Sequence, residues 1–263
     1  MTQDIDWVAA DCRAGMLSLF AIAADGRIRE RRQERAPAQD LVAAVRRSAA
    51  ALAGDAPILL AGAPAEARQV PCTPLPATLA AAGSPPLRIV PPLAQAAPPA
   101  RSDGAEARVA GLLARRPGFD GVACVVGPRM THWLHLSAGE VVSLQGFATG
   151  ALLAGLAAPA GADAEAAGFD AALDAVLSRP ERLAAALGAA QLDPSGREAA
   201  ILGALVGAEL AAARPYWLGQ EVTVIGEDPL AAAMTRALAQ QGVPVQQQDD
   251  TPLLLAGLAA ARG

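Results

Sequence analysis

Between Pro117 and Gly150 short apolar runs alternate with Gly and Pro, and that punctuation leaves few folds open. Val122–Val126 is one run, Gly127-Pro128 breaks it, and Trp133–Leu136 and Val141–Leu144 follow, parted by Ala138-Gly139. Runs of this length bounded by turn formers read as a strand meander. The N-terminus repeats the pattern. Ile5–Ala9 and Met16–Ile22 read as strands, and Asp25-Gly26 is a hairpin turn into Arg27–Arg31.

Each meander leads into helix and strand signals. Over 38–53, Leu41, Val42, Val45 and Ala49 share one helical face, and Pro57–Ala61 reads as a short buried strand. Prolines crowd residues 64–99 around a strand at Leu87–Val90, which places a domain junction there. The expected domains are 1–97 and 98–263. Gly104–Arg115 reads as a helix ahead of the second meander. Helices are expected over Ala164–Ser178, Pro180–Leu187 and Ser195–Arg214. Then come a strand at Glu221–Ile225, a turn at Gly226, and a helix started by Asp228-Pro229 and ended by Gly242. Val243–Gln246 reads as a strand and Thr251–Ala261 as a closing helix. The same coarse order occurs twice, within an α/β class.

Composition narrows the chemistry. The 263 residues carry a net charge of -5, which implies no nucleic-acid face. The cluster Arg27–Arg35 is interleaved with Glu30 and Glu34 and reads as a solvated strand end and loop, with a phosphate or partner patch as the rarer reading. All 21 basic residues are Arg, which excludes a Walker A lysine, a Schiff base and a lysine general base. The 3 cysteines are widely spaced and give no disulfide framework, which suits a reducing cytoplasm. The 2 histidines, His132 and His135, point to opposite faces of a strand and make a poor metal pair. No basic-then-apolar leader is legible, and the apolar stretch 150–159 is too short to span a bilayer.

Several segments resemble one family. The 117–150 segment is similar to that of the 2-dehydro-3-deoxygalactonokinases, sugar-acid kinases of the actin-like, hexokinase-like ATPase superfamily. The family's first turn reads P-G-T-H-[ST]-K-W and the segment ends T-G-E. Here these sites are Gly127-Pro128-Arg129-Met130-Thr131-His132-Trp133 and Thr149-Gly150-Ala151. The N-terminal strand resembles D-W-G-[ST]-[ST]-x-x-R-A-W, with Asp6, Trp7, Arg13 and Ala14 matching and Val8, Ala9 and Ala10 replacing the Gly and hydroxyls. Residues 100–108 are similar to D-V-M-R-G-E-E-T-Q, with Gly104 and Glu106 kept and Asp103 at the Arg site. Gly207-Ala208-Glu209 resembles the family's G-A-E helix, and Val224–Leu230 its strand–Gly–helix element beside the adenine.

The resemblance implies a two-domain actin-like ATPase (ribonuclease H-like) fold with an interdomain cleft. Residues 1–97 would form the sugar-acid side and 98–263 the nucleotide side. It implies ATP and Mg2+, with Asp6 facing the metal, Asp6 and Glu106 catalytic, and Arg13, Arg129, Thr131 and Gly226 on the nucleotide. Gly104, Thr149 and Gly150 would line the substrate. The partners implied are a sugar acid and a nucleotide, with no nucleic acid or membrane; a homodimer is compatible, as is a cytoplasmic location. The same residues carry plainer readings. Asp6 can be a strand-end carboxylate, Glu106 a first-turn carboxylate favoured by the helix dipole, and Arg129 a solvent-facing turn residue. The departures at Val8, Asp103 and Pro128, which has no N–H, leave two functions open. One is ATP-dependent phosphorylation of a 2-keto-3-deoxy sugar acid; the other is a pseudokinase that binds sugar acid, nucleotide or a protein partner.

Overall fold

A computed structural model describes residues 5–37, 39–156 and 164–262. It divides into two units, residues 1–118 with 251–263 and residues 119–250. The expected junction between 97 and 98 lies inside the first unit.

The first unit opens with β1 (Ile5–Arg13), β2 (Met16–Ala23) and β3 (Ile28–Arg35), followed by α1 (Leu41–Ala53) and β4 (Ile58–Ala61). Ala38, where the first helix is expected to begin, lies outside the described residues. The proline-rich stretch holds β5 (Arg68–Gln69), β6 (Leu87–Ile89), β7 (Leu93–Gln95) and β8 (Ala100–Arg101), and α2 (Ala105–Arg115) follows. The five-stranded sheet runs β3-β2-β1-β4-β6, and β5-β7-β8 form a small second sheet. β1 is antiparallel to β2 and parallel to β4, so it is flanked on both edges. Its alternation sorts the core. Val8 and Ala10 pack with Leu17, Leu19, Val45 and Ile58 on one face, and Trp7 and Ala9 with Phe20, Leu59 and Ala107 on the other. The Arg-rich run forms the exposed edge strand β3 rather than a loop. Its charges guard that edge against further pairing.

The second unit contains β9 (Gly121–Val126), β10 (Thr131–Ser137), β11 (Glu140–Phe147), α3 (Thr149–Leu156), α4 (Phe169–Ser178), α5 (Leu183–Ala190), α6 (Arg197–Ala212) and α7 (Arg214–Trp217). A short 3-10 turn, Pro180–Arg182, precedes α5. β12 (Val222–Ile225), α8 (Pro229–Gln240) and β13 (Val245–Gln248) complete the unit. The sheet order β11-β10-β9-β12-β13 repeats that of the first unit. β12 is parallel to β9 and to β13, with α8 as the crossover. The Asp228 carboxylate caps α8 by accepting from Ala231 N at 2.9 Å. α6 and α8 bury Leu202, Val206, Leu210, Met234 and Leu238 against Val122, Cys124, Val126, Val222 and Val224.

The last helix, α9 (Asp250–Ala260), returns to the first unit. A Cβ on Gly257 would lie 1.7 Å from the Ala107 carbonyl oxygen, and one on Gly111 1.9 Å from that of Leu253. Glycine at both positions lets α2 and α9 cross backbone to backbone. This crossing holds α2 in the first unit, so the junction falls after it. No helix among the described residues is long and apolar enough to cross a membrane.

Candidate functional site

In the first unit, polar groups converge at the C-terminal end of β1. Asp11 is 7% exposed and Arg108, on α2, is fully buried. Their side chains form a bidentate pair, Nη1 to Oδ1 at 3.1 Å and Nη2 to Oδ2 at 2.8 Å. Arg108 Nη1 also donates to the Gly104 carbonyl at 2.9 Å, and Arg13 Nε donates to Asp11 Oδ2 at 3.3 Å. Glycine is required around this pair. Gly104 has φ +97°, and a Cβ there would sit 3.1 Å from Arg108 Nη1 and 3.3 Å from Asp11 Oδ1. A Cβ on Gly62, at the end of β4, would lie 2.2 Å from the Cys12 carbonyl oxygen.

In the first turn of α2, Glu106 is fully buried. Ser102 Oγ donates to its Oε2 at 2.5 Å and accepts from Leu93 N at 2.8 Å. Glu106 Oε1 has no hydrogen-bond partner. Burial pushes this carboxyl up to about 7, against the lowering effect of Ser102 and Arg108; the Asp103 charge adds to the rise.

Asp6 is elsewhere. It lies five residues before Asp11, about 16 Å along the strand at about 3.3 Å per residue. Both its oxygens are engaged by Arg262, with Nη2 to Oδ1 at 2.9 Å, and Arg262 also lies over the Trp7 ring. That hydrogen-bonded pair lowers the Asp6 pKa. Val8, expected at a phosphate turn, is mid-strand and fully buried, opposite Ile58 and Ala21. The residue beside the β1–β2 turn is therefore Asp11. The sequence reading missed it because it ended the strand at Ala9. Its position next to the Ala14-Gly15 turn was the available signal.

In the second unit the expected residues gather around the β9–β10 turn. Gly127 N donates to Met130 O at 2.9 Å, and Ala151 N, in the first turn of α3, donates to Arg129 O at 2.9 Å. A Cβ on Gly150 would meet the Pro128 carbonyl oxygen at 2.8 Å, so glycine lets α3 seat on the turn. Pro128 and Arg129 are exposed. Behind the turn, Trp133 Nε1 donates to Glu209 Oε1 at 2.7 Å, with both residues buried. Burial pushes the Glu209 carboxyl up to about 7, while Thr149, Trp133 and Thr131 pull it down. Thr131 Oγ1 is close enough to act on that carboxyl, yet it makes no hydrogen bond of good geometry, and Glu209 Oε2 is likewise unpartnered. Cys124 shares the pocket, where burial and the Glu209 charge raise its thiol pKa. Gly226 is accounted for by packing: a Cβ there would meet Ala231 Cβ at 2.8 Å and Val126 Cβ at 3.2 Å.

A protein-held magnesium ion needs one or two carboxylates with oxygens to offer. Asp6 and Asp11 each face a guanidinium, and the buried Glu106 keeps its proton to about 7. Among the described residues no three His, Cys, Asp or Glu side chains are grouped to hold a metal. These carboxylates do not fit a resident ion.

The sequence model of a family described as 2-keto-3-deoxy-galactonokinase matches residues 11–261, so its match begins at Asp11 and leaves Asp6 outside. Among solved structures, a putative 2-dehydro-3-deoxygalactonokinase from Sinorhizobium meliloti superposes with a TM-score of 0.84 at 24% identity, covering 97% of this chain and 95% of that one. At that identity the likeness is one of fold, and with the duplicated sheet order it gives the chain the two-domain actin-like architecture. Component A of the (R)-2-hydroxyglutaryl-CoA dehydratase of Acidaminococcus fermentans gives a TM-score of 0.49 at 11% identity, over 98% and 99% of the two chains. A ROK family glucokinase from Streptomyces griseus gives 0.48 at 12%, over 97% and 99%. No curated protein matches.

Proposed function

The chain belongs to the 2-keto-3-deoxy-galactonokinase family, and on that premise we propose that it transfers the γ-phosphoryl group of ATP to the primary hydroxyl of a 2-keto-3-deoxy sugar acid, 2-dehydro-3-deoxygalactonate. The observation that carries this reading is the family match over residues 11–261. Phosphoryl transfer asks a protein for positioning and charge neutralisation more than for covalent chemistry. In this reading the second unit takes the nucleotide. Its phosphates meet the 127–131 turn, where Arg129 offers an exposed guanidinium and Thr131 lies behind it; Thr149 and Gly150, expected beside the substrate, open the helix seated on this turn instead. Gly226 lies at the adenine side, its Cα packed against Val126 and Ala231. The first unit takes the sugar acid near Gly104; Arg13, expected on the nucleotide, is held on Asp11 instead. Glu106 is the candidate proton acceptor where the hydroxyl reaches Oε1, and Asp11 replaces Asp6 as the β1 carboxylate. Magnesium enters as part of the Mg·ATP substrate. The enzyme works on small molecules in the cytoplasm.

A second reading, a family member that binds these ligands with little turnover, is favoured by one observation. Among the described residues, the two arginines nearest in sequence to Asp103, which replaces the family's Arg, are both engaged. Of the two nearby arginines, Arg101 donates to the Ala65 carbonyl at 2.6 Å, and Arg108 is locked on Asp11. Coupled ADP release on 2-dehydro-3-deoxygalactonate, run beside ATP calorimetry, decides between them. Sugar-acid-dependent release supports the kinase. Binding with a rate at least about 100-fold below that of an intact family kinase, about 2.7 kcal/mol of barrier, supports the second reading.

A further inference from the structure

The carboxylate at the β1–β2 turn already has a cation. A metal ion and a bidentate guanidinium compete for the same oxygen lone pairs. On Asp11 both oxygens face Arg108, at 3.1 and 2.8 Å, and Oδ2 takes Arg13 as well. Arg108 has no room to swing aside. It is fully buried, and its Nη1 is tied to both the Gly104 carbonyl and Asp11 Oδ1. The Arg108 Cα is fixed in turn, because α2 is pressed backbone to backbone onto α9.

We propose that Arg108 is the resident cation of this site: its guanidinium stands on Asp11 in place of a divalent ion, and the first unit takes no divalent ion through that carboxylate. The inference rests on the kinase reading for why an ion would be sought here; the ion pair itself does not depend on it. Magnesium then stays on the nucleotide phosphates, and Asp11 is a positioning residue that fixes the β1–β2 turn to the first turns of α2.

Mn2+ alone is the probe, followed by electron paramagnetic resonance on the full chain. The wild type and Asp11→Asn are expected to hold Mn2+ with the same affinity. Arg108→Gln should bind at least tenfold tighter than the wild type, and adding Asp11→Asn should abolish the gain. A wild-type affinity that drops tenfold on Asp11→Asn overturns the proposal, as does a folded Arg108→Gln with no gain. Where Arg108→Gln does not fold, the unmutated protein labelled with 15N-arginine answers. The Nη–H signals of a buried bidentate guanidinium exchange slowly and should persist under saturating Mg·ATP. Their collapse overturns the proposal. ADP release reports separately: Mn2+ on Asp11 in an active kinase overturns only this proposal, whereas an inactive protein whose Mn2+ binding ignores Asp11 overturns only the kinase reading.

Discussion

Glu209→Gln takes one ionisable proton out of the core of the second unit, and the pH dependence of stability reads out its removal. Folding moves the Glu209 carboxyl from 4.5 to about 7, chiefly by burial. Between those values the folded protein keeps a proton that the unfolded chain has released. Stability therefore falls as pH rises from about 4.5 to about 7, and levels off above. The gap of about 2.5 pH units corresponds to about 3 kcal/mol at about 1.36 kcal/mol per unit. Glutamine keeps the shape: its carbonyl oxygen can accept from Trp133 Nε1, and its amide can donate to Thr131 Oγ1, the hydroxyl that lacks a partner. Glu106 imposes a slope of the same sign, while Asp6, lowered by Arg262, imposes the opposite one. Both remain in the variant, so the difference between the two proteins isolates Glu209. Urea unfolding followed by far-UV circular dichroism at pH 5, 6, 7 and 8 is the assay. Relative to wild type, Glu209→Gln should gain up to about 3 kcal/mol between pH 5 and pH 8. Parallel stability curves across that range would refute the reasoning, because they would mean that Glu209 holds the same charge folded and unfolded.

Gly257→Ala would place a Cβ 1.7 Å from the Ala107 carbonyl and force α2 and α9 apart; thermal unfolding should report a loss of about 3 kcal/mol, and a change below about 0.5 kcal/mol would mean the crossing is not close-packed. Pro128→Gly restores a backbone N–H to an exposed turn and should tighten ATP binding by calorimetry about 2- to 12-fold, the worth of one hydrogen bond, whereas Val8→Gly, which empties a fully buried mid-strand position, should cost stability by about 3 kcal/mol and leave affinity in the folded fraction unchanged.

What the sequence made legible was local. Alternation and turn residues located both meanders, the Asp25-Gly26 hairpin and the β12–α8–β13 crossover. The Ala, Leu and Gly of α3 have no polar face, and strands of two or three residues such as β5 and β8 have no period to read. Unit membership is also non-local: two glycines make α9 a partner of α2, and neither looks unusual in sequence. At the site, Trp133, Thr149 and Glu209 each stood out as separate motif positions. Their convergence depends on a hydrogen bond between residues 76 apart in the chain. The displaced carboxylate has the same origin. An Asp-Trp pair at 6–7 fitted the family pattern, and an Ala-Ala step weakened the strand signal after it. Yet β1 has β2 on one edge and β4 on the other, and that pairing carries it through Ala9 and Ala10 to Arg13. With Asp11 at the turn, the charge reversal at Asp103 takes a different meaning. In the family pattern the Arg site is position 103 and the Gln site is position 108. Here the acid stands at 103 and the arginine at 108, where it reaches a partner 97 residues away. The arginine on α2 thus answers the carboxylate at the end of β1, while the acid at 103 precedes the helix.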